Sequence, residues 1–78
     1  MKNLWKVTFD AKYTGLGNLL EEEVMVVANG DGIAAVSKAR HQVIGKIFED
    51  GPINGPWVTR RCRYVKLTGL ELLHKIDA

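Results

Sequence analysis

The sequence predicts a small α+β domain in the order strand, strand, helix, strand. Its sheet would be three- to four-stranded, antiparallel or mixed, with one helix packed on one face. Three observations carry that prediction. Residues 5–13 alternate apolar and polar side chains with period two, residues 33–47 repeat apolar side chains at spacings of three and four, and short glycine-, asparagine- and proline-rich pieces separate the periodic segments.

Along the first strand Trp5, Val7, Phe9, Ala11 and Tyr13 share one face, and Lys6, Thr8, Asp10 and Lys12 the other. "TGLGN" (14–18) offers glycines for a turn needing positive φ. "LLEEEVMVVA" (19–28) is the second strand, with Val24, Val26 and Ala28 on the core side. The two form a hairpin in which Glu21 and Glu23 match Lys6 and Lys12. Setting Lys12 against Glu23 avoids bringing Asp10 against Glu23, so that register is preferred.

"NGDG" (29–32) hands over to a helix, with Asp31 as N-cap. Ile33, Val36, Ala39, Val43, Ile44 and Ile47 make the apolar stripe, while Ser37, Lys38, Arg40, Gln42 and Lys46 face water. Gly45 costs about 1 kcal/mol of helix propensity, and loosens the last turn or lets the helix approach the sheet closely. "EDGPINGP" (49–56) is a loop, and "WVTRRCRYVKL" (57–67) the third strand. Plain alternation puts Val58, Arg60, Cys62, Tyr64 and Lys66 on one face and Thr59, Arg61, Arg63, Val65 and Leu67 on the other. Neither face is clean. A bulge near Cys62 or Arg63 would turn both Cys62 and Val65 inward. From Thr68 the tail reads as a strand extension through Leu70 and Leu72, in preference to a short helix on Leu70, Leu73 and Ile76.

Seventy-eight residues leave room for one domain, 1–78. A chain this short buries only about 60% of its unfolded surface and gains from a partner. Hydrophobic content of 46% and charged content of 26% are globular values. Apolar runs fall far short of the roughly 20 residues of a membrane span, and the start acquires polar and acidic residues too early for a secretory signal. The expected location is the cytoplasm, with no membrane partner.

Few residues suggest chemistry. One cysteine excludes an internal disulfide, and Cys62 with His41 and His74 lacks metal-type spacing, so no metal or other cofactor is expected. Cys62 with either histidine would need a third, orienting group to make a nucleophile–base pair, and none is identifiable. A lone cysteine inside a strand reads better as a small core hydrophobe, and no catalytic residue is assigned. "GLGN" lacks the lysine and following helix of a phosphate loop. Glu21 and Glu23 share a face about 7 Å apart and read as a solvated, cation-matched surface.

The basic strand is what remains. Residues 1–56 hold six cations and seven acids, whereas residues 57–78 hold five cations and two acids. Arg61 and Arg63, with Arg60, Lys66 and Tyr64 nearby, suit phosphates or an acidic protein, and Tyr64 or Trp57 suits stacking on a base. Strand order decides the outcome. Beside strand two the arginines meet Glu21 and Glu23 and partly cancel; beside strand one they join Lys6 and Lys12. A split sheet with strand one central obeys the right-handed crossover rule and makes the patch real.

The run "EEEVMVVANGDGIAAVSKAR" (21–40) resembles a pattern in small phage- and prophage-encoded proteins, where an acidic strand, a polar turn and an alanine-rich helix follow one another. Small anti-CRISPR proteins are similar in size and element order. The resemblance implies a mobile-element accessory protein whose basic face contacts a host RNA-guided complex and competes with target DNA. It carries over no functional residue. The expectation is therefore a non-catalytic binding protein that occludes a host protein or protein–nucleic-acid complex. A weak RNA- or DNA-binding module using the same strand is the alternative, and a homodimer that buries the open sheet face is a third reading.

Overall fold

The computed structural model describes residues 2–51 and 55–76. The strands and helix are β1 (Lys2–Tyr13), β2 (Leu20–Asn29), α1 (Gly32–Val43), β3 (Ile47–Asp50) and β4 (Val58–Ile76). They build one four-stranded antiparallel sheet in the order β2-β1-β4-β3, with α1 on one face. The α+β class holds, and β1 is central as the split arrangement required.

Period-two alternation in β1 does what it predicts. Val7, Phe9, Ala11 and Tyr13 are buried against Val26 and Ala28 of β2, Ala35, Ala39 and Val43 of α1, and Cys62 and Val65 of β4. Burying a side chain such as Phe9 or Val7 contributes about 1.5–3 kcal/mol. Tyr13 also meets Phe48 of β3 edge-on, ring centroids 5.0 Å apart.

The hairpin register differs from the expected one. Thr8, not Lys12, lies opposite Glu23, and Asp10 lies opposite Glu21. The expected register would carry Thr14 and Gly15 into the ladder opposite Glu21 and Leu20, whereas β1 ends at Tyr13 and Gly15, at φ +77°, belongs to the turn. That turn fixes the register, at the cost of an exposed like-charge contact of about 0.2–1 kcal/mol. Lys6 still reaches Glu23 diagonally, 3.8 Å away.

Asp31 caps α1 as expected, its Oδ1 accepting from the Ile33 amide at 3.1 Å. The apolar stripe is different. Ala35, Ala39 and Val43 are the buried residues, while Ile33 and Ile44 are exposed and Ile47 belongs to β3. Small alanines let α1 lie close to the sheet. Gly45 neither loosens the helix nor packs against the sheet. At φ +87° it supplies the left-handed residue that ends the helix, and its amide donates to the Cys62 carbonyl at 2.9 Å. The chain then returns as β3, a strand the periodicity did not suggest; Glu49 and Asp50, expected in a loop, pair with Thr59 and Val58. The rest of that expected loop falls partly on 52–54, outside the described residues.

β4 is a single strand of 19 residues, so the tail is strand throughout. Against β1 its register slips three times, leaving Arg63, Thr68 and Leu73 as extra residues. The bulge anticipated near Cys62 is the first of these, and both Cys62 and Val65 are buried.

Candidate binding face

α1 covers the side of the sheet that carries the odd-numbered residues of β1. The opposite side carries Lys6, Thr8, Asp10 and Lys12, and through cross-strand pairing Glu21 and Glu23 of β2 and Tyr64, Lys66 and Glu71 of β4. Residues directly opposite each other on neighbouring strands share a face.

The bulge at Arg63 assembles the basic end of this surface. Unbroken alternation would place Tyr64 and Lys66 on the side of Cys62, under the core. Because Arg63 is extra, Cys62 pairs with Tyr13 on the covered side while Tyr64 pairs with Lys12 on the open side. Arg61, one residue before Cys62, also faces out, opposite the exposed Ile47. Arg61, Arg63, Tyr64, Lys66 and Lys12 are all exposed. Among the described residues, none of these four cations takes part in an ion pair.

Other residues singled out in the sequence go elsewhere. Arg60 belongs to the structure rather than to the patch. Its Nε donates to Asp50 at 2.6 Å and its Nη1 to the Thr14 carbonyl at 2.8 Å, and its side chain is only 16% exposed. Alternation places it beside Phe48 on the covered side, at the sheet's end. Trp57 is exposed next to Gly51, before β4 begins. Lys6 sits toward the other end of β1, engaged with Glu23.

The face is not uniformly basic. Asp10 lies directly between Lys66 and Glu21 in the cross-strand row, so charge runs from acidic on β2 to basic on β4. Asp10 is a member of the site that the sequence reading left aside, and its position depends on the register.

The structure does not bring Cys62 and the histidines together. Cys62 is buried, its thiol donating weakly to the Tyr64 carbonyl at 3.7 Å, and burial pushes the thiol pKa up. His74 lies near the far end of the same strand, opposite Leu4, and His41 is exposed on α1. Among the described residues no three His, Cys, Asp or Glu side chains gather where they could hold a metal ion, and no helix is long and apolar enough to cross a membrane.

A second polar cluster was not anticipated. Glu22 points to the covered side, where one carboxylate oxygen accepts from the Tyr13 hydroxyl at 2.6 Å and the other from Lys46 at 3.1 Å. Burial first, then the bond to Glu22, raises the Tyr13 pKa well above its ordinary value. The signal in the sequence was parity: Glu22 shares the face of Val24 and Val26.

No protein-family model, curated protein or solved structure matches this chain. The functional reading rests on the geometry of this face.

Proposed function

We propose that the protein is a non-catalytic binding module whose open sheet face docks on another protein, with Arg61, Arg63, Lys66 and Lys12 around Tyr64 seated against an acidic patch. The observation that supports this is the charge gradient across the face. A phosphate backbone tracking over the sheet would meet Asp10, Glu21 and Glu23 within two strands of the arginines. A protein surface can present carboxylates to β4 and cations to β2, which is how electrostatic complementarity gives register and specificity. Four cations would make few phosphate contacts, and binding through them alone would be weak and salt-sensitive. The resemblance to phage accessory proteins gives the partner a class: a host nucleic-acid-binding complex in the cytoplasm, occluded at a surface that DNA or RNA would otherwise occupy.

The test has two arms. Labelled single-stranded and duplex DNA and RNA are titrated with the protein at low and near-physiological salt, and the tagged protein is used to capture partners from host lysate. The proposal expects no nucleic-acid binding at physiological salt. It also expects a captured protein that is lost in an Arg61→Glu, Arg63→Glu double variant and retained in Arg40→Glu on the helix. Binding to nucleic acid at physiological salt that the double variant abolishes would overturn it in favour of a nucleic-acid module.

A further inference from the structure

We infer that two copies of the chain associate through the outer edge of β4, pairing antiparallel about a two-fold axis at Thr68–Gly69. This interface shares Lys66 with the open-face cluster, but its apolar contacts lie on the helix side.

β3 pairs with β4 from Val58 to Arg61, and Lys46 and Gly45 occupy both backbone groups of Cys62. From Arg63 to Ile76 the inner edge pairs with β1, and among the described residues no other strand meets the outer one. A long unpaired edge is a template for another strand. The opposite edge of the sheet, β2, is guarded: it carries Glu21, Glu22 and Glu23, and the Lys38 ammonium donates to its Val27 carbonyl at 2.7 Å.

The free edge of β4 is also self-complementary. On the covered side β4 presents Val65, Leu67, Leu70 and Leu72; on the open side it presents Lys66 and Glu71. The extra residue Thr68 makes this pattern symmetric about the Thr68–Gly69 step. In a regular strand a two-fold axis normal to the sheet must pass through a residue position, because neighbouring side chains alternate. Here the bulge lets Thr68 and Gly69 share one position. Leu67 then faces the partner copy's Leu70, Val65 its Leu72, and Lys66 its Glu71, each pair on one side of the sheet and each occurring twice.

The exposed area also suits a second copy. Leu67, Leu70 and Leu72 are 41–42% exposed on the side where the core lies, and Ile33 is 76% exposed next to them. Asp31, Gly32, Ile33, Val36, Leu67 and Leu70 line an open groove of about 360 Å³ between α1 and β4. The chain exposes 5405 Å², against roughly 4,700 Å² for a compact monomer of its mass. The excess, about 700 Å², approaches the roughly 800 Å² that each partner buries in a standard interface. Its radius of gyration is 15.0 Å, where a compact chain of this length would have about 11.5 Å.

Sedimentation equilibrium of the full chain tests the inference, with circular dichroism to verify folding of each variant. The expected mass is twice 8.7 kDa at concentrations up to about 100 µM. Leu70→Lys shifts it to the monomer with the fold intact. Lys66→Glu and Glu71→Lys each weaken dimerisation roughly five- to tenfold, because each turns two attractions into repulsions, and the double exchange restores it. A monomer throughout that range would overturn the inference, and so would a dimer that is indifferent to Leu70→Lys or is not rescued by the exchange. Because Leu70 lies outside the basic cluster, capture of a host protein by the Leu70→Lys variant remains a separate readout of the open face.

Discussion

At the scale of single residues, Tyr13 shows how a half-polar side chain is held in a small core. Its ring fills the space between Phe48 and Cys62, and its hydroxyl reaches Glu22, whose other oxygen takes the Lys46 ammonium. A phenol whose folded pKa lies above the unfolded value holds its proton more tightly when folded. Its stabilising effect is fully present below about pH 10 and is lost as pH rises toward the folded pKa. The buried Cys62 thiol, also raised, acts in the same direction from the ordinary thiol range upward. The urea midpoint of the wild type should therefore fall on going from about pH 8 to about pH 11. Tyr13→Phe should start lower by about 0.5–1.5 kcal/mol for the lost hydrogen bond and fall less over the same interval. Parallel slopes for the two proteins would show that the phenol is not the group responsible.

At the scale of elements, the bulged strand β4 separates what was legible in the sequence from what was not. β1, β2 and the start of α1 follow simple periods and a cap, and were readable. β4 was harder, because extra residues at Arg63, Thr68 and Leu73 impose a repeat of five. Its inward positions Val65, Leu67, Leu70 and Leu72 follow neither the strand period nor the helical one, and Leu70, Leu73 and Ile76 imitate a helix. The basic cluster was legible in its residue types. Its membership depended on the bulge, which brings Tyr64 and Lys66 to the side of Arg61, and on alternation, which sends Arg60 under the sheet. β3 was invisible because four residues are too few to display a period. The two kinds of arginine separate in a stability measurement. Arg60→Ala, which breaks the bonds to Asp50 and Thr14 that tie the β3–β4 hairpin to the loop after β1, should destabilise by about 1–2 kcal/mol. Arg61→Ala should stay within about 0.5 kcal/mol. Equal losses in thermal melts would return Arg60 to the exposed patch.

At the scale of the whole molecule, the extents of 51 × 20 × 16 Å describe a plank, not a ball. Two surfaces follow from that shape: a charge-graded face away from α1, and an apolar margin along β4 where the helix fails to reach. A two-fold axis normal to the sheet would set both open faces on the same side of a continuous sheet six strands across, each β3 lying end-on to the partner's β4. Two basic clusters would then lie about 26 Å apart by strand rise, spaced for a partner that repeats or for two copies of one. The central place of β1 has another consequence, in time. Its second neighbour pairs with it from Tyr13 and Cys62, 49 residues apart, to Lys2 and Ile76, 74 apart. The ribosome makes the middle strand early and the strand that completes its ladder late. Until residues 62–76 emerge, the β1–β2 hairpin shows water one whole edge of β1, and Val7, Phe9 and Ala11 lack the cover of Cys62 and Val65. Loops this long close against a large entropy, so refolding in stopped-flow should take milliseconds to seconds. Microsecond refolding would mean that the hairpin and helix hold together without β4. A slow closing of this kind leaves one edge of the central strand open for as long as the last strand takes to arrive.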